Sequence, residues 1–391
     1  MVTIDHDAVL RARVLLLGSG RRSRAELVGA YRVLAEVSPK AYGPKLVDAL
    51  LALRYEIRDP EVAVALTAEA SRAARRLEAG VPKRAELLRR ALDDYRVSLF
   101  ALGRRAEGRA ICEELAAAGR SGPLATVLAE EGRFKEAAEL DEEAARNGIP
   151  EHSFFWNMAR WAANLEGAGL HDAAATVFRE LLQKTRRDVA EQRAALAVLT
   201  WELVHFSRMR EVVGDTASAA AARREALSVL EGLATTGEPE TWSTLHRWWR
   251  MLFVLSGRAA EPAASPESPM PPYGSELGWS HDVREGFLGM LPGLEAEAAR
   301  LREADRLPEL IDVQRRIAIR AAVRDGDHPY LFEERFTPHF DEGVTLARRL
   351  PDDPARLARA LTDRSMFLVA ARSFGPAHAD FAEAVALLHD R

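Results

Sequence analysis

Apolar residues recur along this chain at helical spacing in short blocks, and the blocks come in pairs. Within 124–150, Leu124, Ala125 and Leu128 line one face of a helix that ends near Glu131. After a turn at Gly132-Arg133, Phe134, Ala137, Leu140 and Ala144 line a second helix that ends near Arg146. Two helices joined so tightly lie back to back, and such a pair cannot bury both of its apolar faces by itself. Similar pairs are predicted over 83–102 with 105–118 around Gly103, over 155–184 around Gly169, and over 187–213 with 217–233 around Gly214. The turn glycines lie 29 (103→132), 37 (132→169) and 45 (169→214) residues apart, unequal intervals that mark a diverged array. Toward the N-terminus the pattern predicts helices over 5–17, 23–37 and 45–57, with Pro39 and Gly43-Pro44 as punctuation, and one from Pro60 to Glu78. Ser23 followed by Glu26 has the spacing of a capping box.

The pattern breaks after 242–255. Residues 258–278 contain Pro262, Pro266, Pro269, Pro271 and Pro272, a density that no helix tolerates, and the stretch reads as an exposed, partly disordered loop with polyproline II character. Helical spacing returns over 281–291, is nicked by Pro292, and continues over 294–301 and 307–324. A helix over 332–350 should kink or divide at Pro338, and the PDDP of 351–354 introduces the last pair.

Three stretches carry a family resemblance. In 124–150, Leu124, Ala125 and Leu128 precede Gly132, Phe134, Ala137 and Ala144, although Asp141 stands at a position that favours Phe. In 155–184, Met158, Trp161, Ala162 and Leu165 precede Gly169, then Ala174, Phe178 and Leu181; near the C-terminus come Leu361, Ser365 and Leu368, then Phe374, Ala377, Phe381 and Ala384. Each resembles the tetratricopeptide (TPR) motif, a helix–turn–helix of ~34 residues. The resemblance spans about 83–257 and 332–389 and implies an all-α, right-handed α-solenoid of TPR-like antiparallel helix pairs. On this reading 1–79 is a helical cap or a set of diverged repeats, 80–257 holds TPR-like repeats, 258–280 is the proline-rich loop, and 281–391 holds further repeats.

Composition agrees with an all-helical chain: Ala, Leu, Arg and Glu dominate, and no stretch alternates with period two. The net charge of −5 gives no general attraction to nucleic acid or to an anionic membrane, and no partner of either kind is expected. Residues 1–120 carry 22 basic and 16 acidic side chains, so the first third is cationic and the remainder anionic. No run of about 18 apolar residues occurs, and nothing at the start reads as a signal peptide, so a cytoplasmic protein is expected. Cys112 is the single cysteine, placed where a buried thiol is expected.

Candidate chemistry is sparse. The sequence lacks a GxGxxG, a P-loop, an HExxH, a CxxC pair and a GxSxG elbow. Asp93-Asp94 and Asp352-Asp353 do not form the facing aspartate-rich helices that a magnesium–diphosphate enzyme needs, and His339 and Asp341 diverge by ~200° on a helix, with His328 and Glu342 nearby. No cofactor and no metal is expected, and the chain is read as a non-enzyme.

In TPR arrays the first helix of each pair lines a concave groove. Carried over residue by residue, the resemblance puts Trp156, Arg160, Trp201, Arg208, Arg247 and Met251 in that groove, and aromatic residues mixed with arginines suit peptide recognition. The lysines of the family's carboxylate clamp are missing, so that specificity is not carried over. The leading expectation is a non-enzymatic scaffold that binds a protein or peptide. Two others stand beside it: a regulatory sensor for a peptide or small molecule, and a helical enzyme of unknown reaction.

Overall fold

The computed structural model describes residues 5–146, 151–239, 245–272, 278–326 and 332–389. Every regular element among them is helical. The chain forms two compact units, Met1–Val127 with Ser280–Asp282, and Leu128–Trp279 with Val283–Arg391.

The first unit contains α1 (His6–Leu17), α2 (Arg24–Val37), α3 (Pro39–Arg54), α4 (Pro60–Arg75), α5 (Arg84–Ala101) and α6 (Arg105–Ala117). Each packs on the next in sequence, as short connections require. The predicted capping box forms at the start of α2: the Glu26 amide donates to Ser23 Oγ, and Glu26 Oε2 accepts from the Ser23 amide. Asp59 caps α4 ahead of Pro60. Gly43-Pro44 does not interrupt the chain; α3 starts at Pro39 and runs through it. Its core is aliphatic, built on Val47, Leu50, Leu51, Ala70 and Ala74.

Between the units the chain runs through α7 (Gly122–Glu130). The second unit continues with α8 (Phe134–Arg146), α9 (Glu151–Gly167), α10 (His171–Ala190), α11 (Leu196–Val212), α12 (Thr216–Thr236) and α13 (Leu245–Leu255). After the proline-rich stretch come α14 (His281–Gly289), α15 (Leu291–Glu303), α16 (Leu307–Asp325), α17 (Phe332–Arg348), α18 (Pro354–Ala370) and α19 (Phe374–His389). Helix α17 passes Pro338 without a break in its helical assignment. The helix expected over 187–213 is divided: Gln192 turns left-handed at φ 57°, the Arg193 and Ala194 amides donate to the Asp188 carbonyl, and α11 starts afresh. Glu238 caps that start, accepting from the Leu196 and Ala197 amides at 3.2 and 2.8 Å.

One turn recurs between paired helices. Gly103, Gly132, Gly169 and Gly214 all have φ between 68° and 76°, the left-handed conformation that glycine adopts without a Cβ penalty. At each, the next residue's amide donates back to a carbonyl five residues earlier, as Arg104 does to Leu99, Arg133 to Leu128, Leu170 to Leu165 and Asp215 to Arg210. Asp305 and Arg372 take the glycine's place in the same turn before α16 and α19.

The second unit departs from a strictly local array. In a solenoid each repeat touches only its neighbours. Here α12 packs on α19, and α13 packs on α16 and α18. The junction is aromatic: Trp249, 1% exposed, stacks on Phe253 and meets Phe332 at 5.2 Å and Phe367 at 6.0 Å between ring centroids.

Candidate functional site

The expected groove face is closed where α18 covers it. Trp201 is 2% exposed, and its indole N–H donates to the Met366 carbonyl at 3.0 Å. Met251 is fully buried, on the helix that packs against α16 and α18. For these two the expectation of an open recognition surface is corrected, because later helices of the chain pack there, α18 on Trp201 and α16 and α18 on the helix that carries Met251. Trp156 is half-buried, edge-on to Trp248 at 5.0 Å. Arg160 is tied to the preceding helix: its Nε and Nη2 donate to Asp141 at 2.8 and 2.6 Å, and Asn164 donates to the other Asp141 oxygen. Asp141, at the position the TPR pattern favours as Phe, is thus a buried anion held by two donors of α9. Burial pushes its pKa up, with Arg160 and Asn164 opposing. Arg247 is half-buried on α13.

Arg208 stands apart. About two turns beyond the Trp201 position on α11, it lines two cavities inside the second unit, of about 450 and 600 Å³.

The smaller cavity has apolar walls from Met209 and Val212 of α11, Leu255 at the end of α13, Phe287 of α14 and Ile319 of α16. One side is made by the proline-rich segment. That segment was expected to be an exposed, partly disordered loop, and over 258–272 it is instead anchored at both ends, leaving a tip around Pro266–Ser268 exposed. Arg258 donates to the Pro272 carbonyl at 2.6 Å and to the Ala163 carbonyl at 2.9 Å, and lies over the Phe134 ring. Glu261 forms a two-pronged pair with Arg320, at 2.7 and 2.8 Å, and meets Arg316 at 3.3 Å. The Met270 amide donates to the Glu130 carbonyl at 2.9 Å. Prolines bring no amide donors, and these side-chain forks supply the attachment that a backbone ladder cannot. Residues 273–277 lie outside the described residues.

Polar groups converge on this cavity from three helices and the segment. His205 on α11 is 6% exposed, with Nδ1 lacking a partner among the described residues. Burial, reinforced by Arg208 and Arg258, pulls its pKa to about 3, so the imidazole is neutral. Glu166 at the end of α9 is shifted the other way: burial raises it, against the pull of Arg258 and His171. Burial lowers the Arg258 guanidinium, with Glu166 opposing.

The larger cavity is lined by Arg208, Arg223, Arg315, Arg356 and Arg359. Their acceptors are shared. Asp363 takes both Arg208, at 2.7 Å, and Arg315, at 2.6 Å; Asp312 takes Arg356 and Arg359, each by a direct ion pair; Glu211 pairs with Arg223. Burial alone would raise the Asp363 pKa, but Arg315 and Arg208 outweigh it and hold it below the usual carboxylate range. Sequence periodicity could place Arg208 on the inward face of α11. The residues it works with, from Glu166 to Asp363, are brought together only by the packing of distant helices.

Among the described residues no cluster of three or more histidine, cysteine, aspartate or glutamate side chains could hold a metal ion, and His328 lies outside them. No helix there is long and apolar enough to cross a membrane. Compared with known proteins, the chain is matched by no family model and by none of the curated proteins.

Proposed function

We propose that the second unit is a right-handed, TPR-like array of antiparallel helix pairs acting as a non-enzymatic regulatory sensor. A small molecule or the end of a peptide occupies the cavity walled by residues 258–272, and its presence is reported through that segment. The recurring glycine turn and the packing of successive helices support the repeat reading. The observation that carries the sensor reading is the cavity itself. It falls in the size range of small-ligand sites, is mostly apolar, and has a few convergent polar groups, His205, Glu166 and Arg208. With Trp201 and Met251 buried, this cavity takes over from the expected groove as the binding site. The scaffold reading keeps one foothold: the segment is itself an extended proline-rich peptide gripped by side chains, and a partner peptide could use the same donors by displacing it.

The test is saturable binding of a neutral fluorescent apolar probe, N-phenyl-1-naphthylamine, to the full chain. The expected result is a fluorescence rise that saturates at one probe per chain and is lost in Met209→Trp, where the larger side chain fills the cavity. Absence of saturable binding overturns the reading. An unchanged response in Met209→Trp puts the probe elsewhere and has the same consequence, provided the variant melts cooperatively.

A further inference from the structure

The two cavities of the second unit share Arg208, Val212 and Ser256 in their walls. One is mostly apolar and the other carries five guanidinium groups, so their junction has the polarity of an amphiphile. Charge around them does not balance. Three carboxylates are each shared by two guanidiniums: Asp363 by Arg208 and Arg315, Glu261 by Arg316 and Arg320, Asp312 by Arg356 and Arg359. Asp353 adds a second contact to Arg356, Glu211 takes Arg223, and Glu166 faces Arg258. Eight guanidiniums therefore meet six carboxyl groups around the paired cavities.

Arg208 is where the surplus is accessible. Its side chain is 28% exposed, into the cavities it lines, and it spends one donor, Nη2, on an aspartate that Arg315 already holds with two nitrogens. Its remaining N–H groups have no protein acceptor among the described residues. Across the wall, Arg223 is 7% exposed and its Nε is buried without a partner. A guanidinium withdrawn from water needs an anionic partner to offset its desolvation, and its planar fork suits carboxylate and phosphate oxygens.

Resting on the sensor reading above, we infer that the ligand is an amphiphilic anion, with an apolar body in the smaller cavity and a carboxylate or phosphate head on Arg208 at the mouth of the arginine-lined cleft. The head group accepts from the unused Nε and Nη1 donors of Arg208. Met209, Val212, Leu255 and Ile319 face the body with carbon and sulfur atoms, and the cavity's polar groups, Glu166, His205 and Arg258, stand elsewhere in the same wall.

Displacement of N-phenyl-1-naphthylamine by matched ten-carbon compounds tests this. Decanoate and decyl phosphate supply the two head groups, decanol the same body without charge, and inorganic phosphate the head without a body. The expected result is that at least one of the two anions displaces the probe at a concentration about tenfold lower than decanol, with inorganic phosphate ineffective. The tighter anion identifies the head group. In Arg208→Gln the advantage over decanol should fall to about twofold or less, while Arg208→Lys restores part of it. Arg223→Gln, which alters the cleft and not the apolar cavity, should reduce the advantage without affecting decanol. If decanol matches both anions on the unaltered protein, the inference fails while the cavity reading stands. If no compound and no probe saturates, the cavity reading fails and this inference falls with it. An advantage that survives in a folded Arg208→Gln also overturns it. Should Arg208→Gln not fold, the decanol comparison on the unaltered protein, together with Arg223→Gln, decides.

Discussion

Both units use arginine–carboxylate pairs to join helices, and they use them at different depths. In the first, Arg32 reaches Glu69 and Arg75 reaches Glu114 across helices that lie in solvent, with side chains between 28% and 48% exposed. In the second, Arg320 with Glu261, Arg315 with Asp363 and Arg160 with Asp141 all bring an acid that is at most 8% exposed. The apolar cores differ in the same sense. Among the described residues, all six tryptophans and thirteen of the fourteen phenylalanines belong to the second unit, whereas the first is packed with Leu, Val and Ala. A local stack of helices can be held by aliphatic ridges and leave its charges outside. A unit whose last helices return onto its middle must fill wider, irregular gaps. Aromatic rings do so, and charges caught in the closure have to be paired because water no longer reaches them.

The contrast can be broken most directly at Trp201. Replacing it with Ala removes a buried indole and leaves the Met366 carbonyl without its donor, and should cost ~3–5 kcal/mol in denaturant melts followed by helix content. A change below ~1 kcal/mol would mean that α18 does not cover α11 in solution.

Acid–base behaviour gives the next largest effect. Glu202, one turn before His205 on α11, is fully buried, and burial raises its pKa to about 8 against the pull of Thr185 and Arg186. Its folded value lies above its unfolded one, so its contribution is fully present below about pH 4.5 and is lost as pH rises to about 8. His205 has the opposite sign, and stability linked to it is lost as pH falls from about 6.5 toward 3. Glu202→Gln should flatten the decline between pH 4.5 and 8, by roughly 2–4 kcal/mol at the alkaline end, and leave the acid side as it is. Parallel pH curves for the two proteins would place Glu202 in contact with water.

At Gly132 an added Cβ would lie 2.3 Å from the Ala264 carbonyl oxygen in a left-handed backbone. Gly132→Ala should cost ~1–2 kcal/mol for the backbone alone and push the proline-rich segment outward. Faster proteolysis between Ala263 and Pro272 reports that movement, and an unchanged cleavage rate speaks against a docked segment. The smallest effect belongs to the first unit. Arg32→Ala breaks a well-formed but solvated pair and should change stability by ~0–1 kcal/mol. A loss of several kcal/mol there would erase the difference in depth between the units.

The features legible in the sequence were the local ones. Helix spacing, the Ser23–Glu26 box, the helix start at Pro60 and the glycine turns at 103, 132, 169 and 214 each depend on a few neighbouring residues, and all appear. The break between α10 and α11 was missed because its cap, Glu238, lies 42 residues from Leu196. The docked proline-rich segment was missed for a similar reason: its attachment to Arg320 spans 59 residues. At the site, periodicity carried Arg208 to the inward face of α11, but it could not distinguish an open face from one covered by α18. Asp141 shows the limit in one residue, since an acid at an expected Phe position reads as a lapse of the motif until Arg160 and Asn164 are seen to hold it.

The hydrogen bond from Trp201 to Met366 also sets a timetable. The two residues are 165 positions apart, and a ribosome adding ~5–20 residues per second needs roughly 10–30 s to cover that distance. Through that interval Trp201, and from about a third of the way into it Trp249 and Met251 of α13, wait for the helices that will cover them. The first unit lacks that delay, because most of its helices find their partner within the next stretch of chain to emerge. The second unit therefore meets the cell as an unfinished surface of indole and phenyl rings, and the interval before α18 emerges is when a holding chaperone would matter most to it.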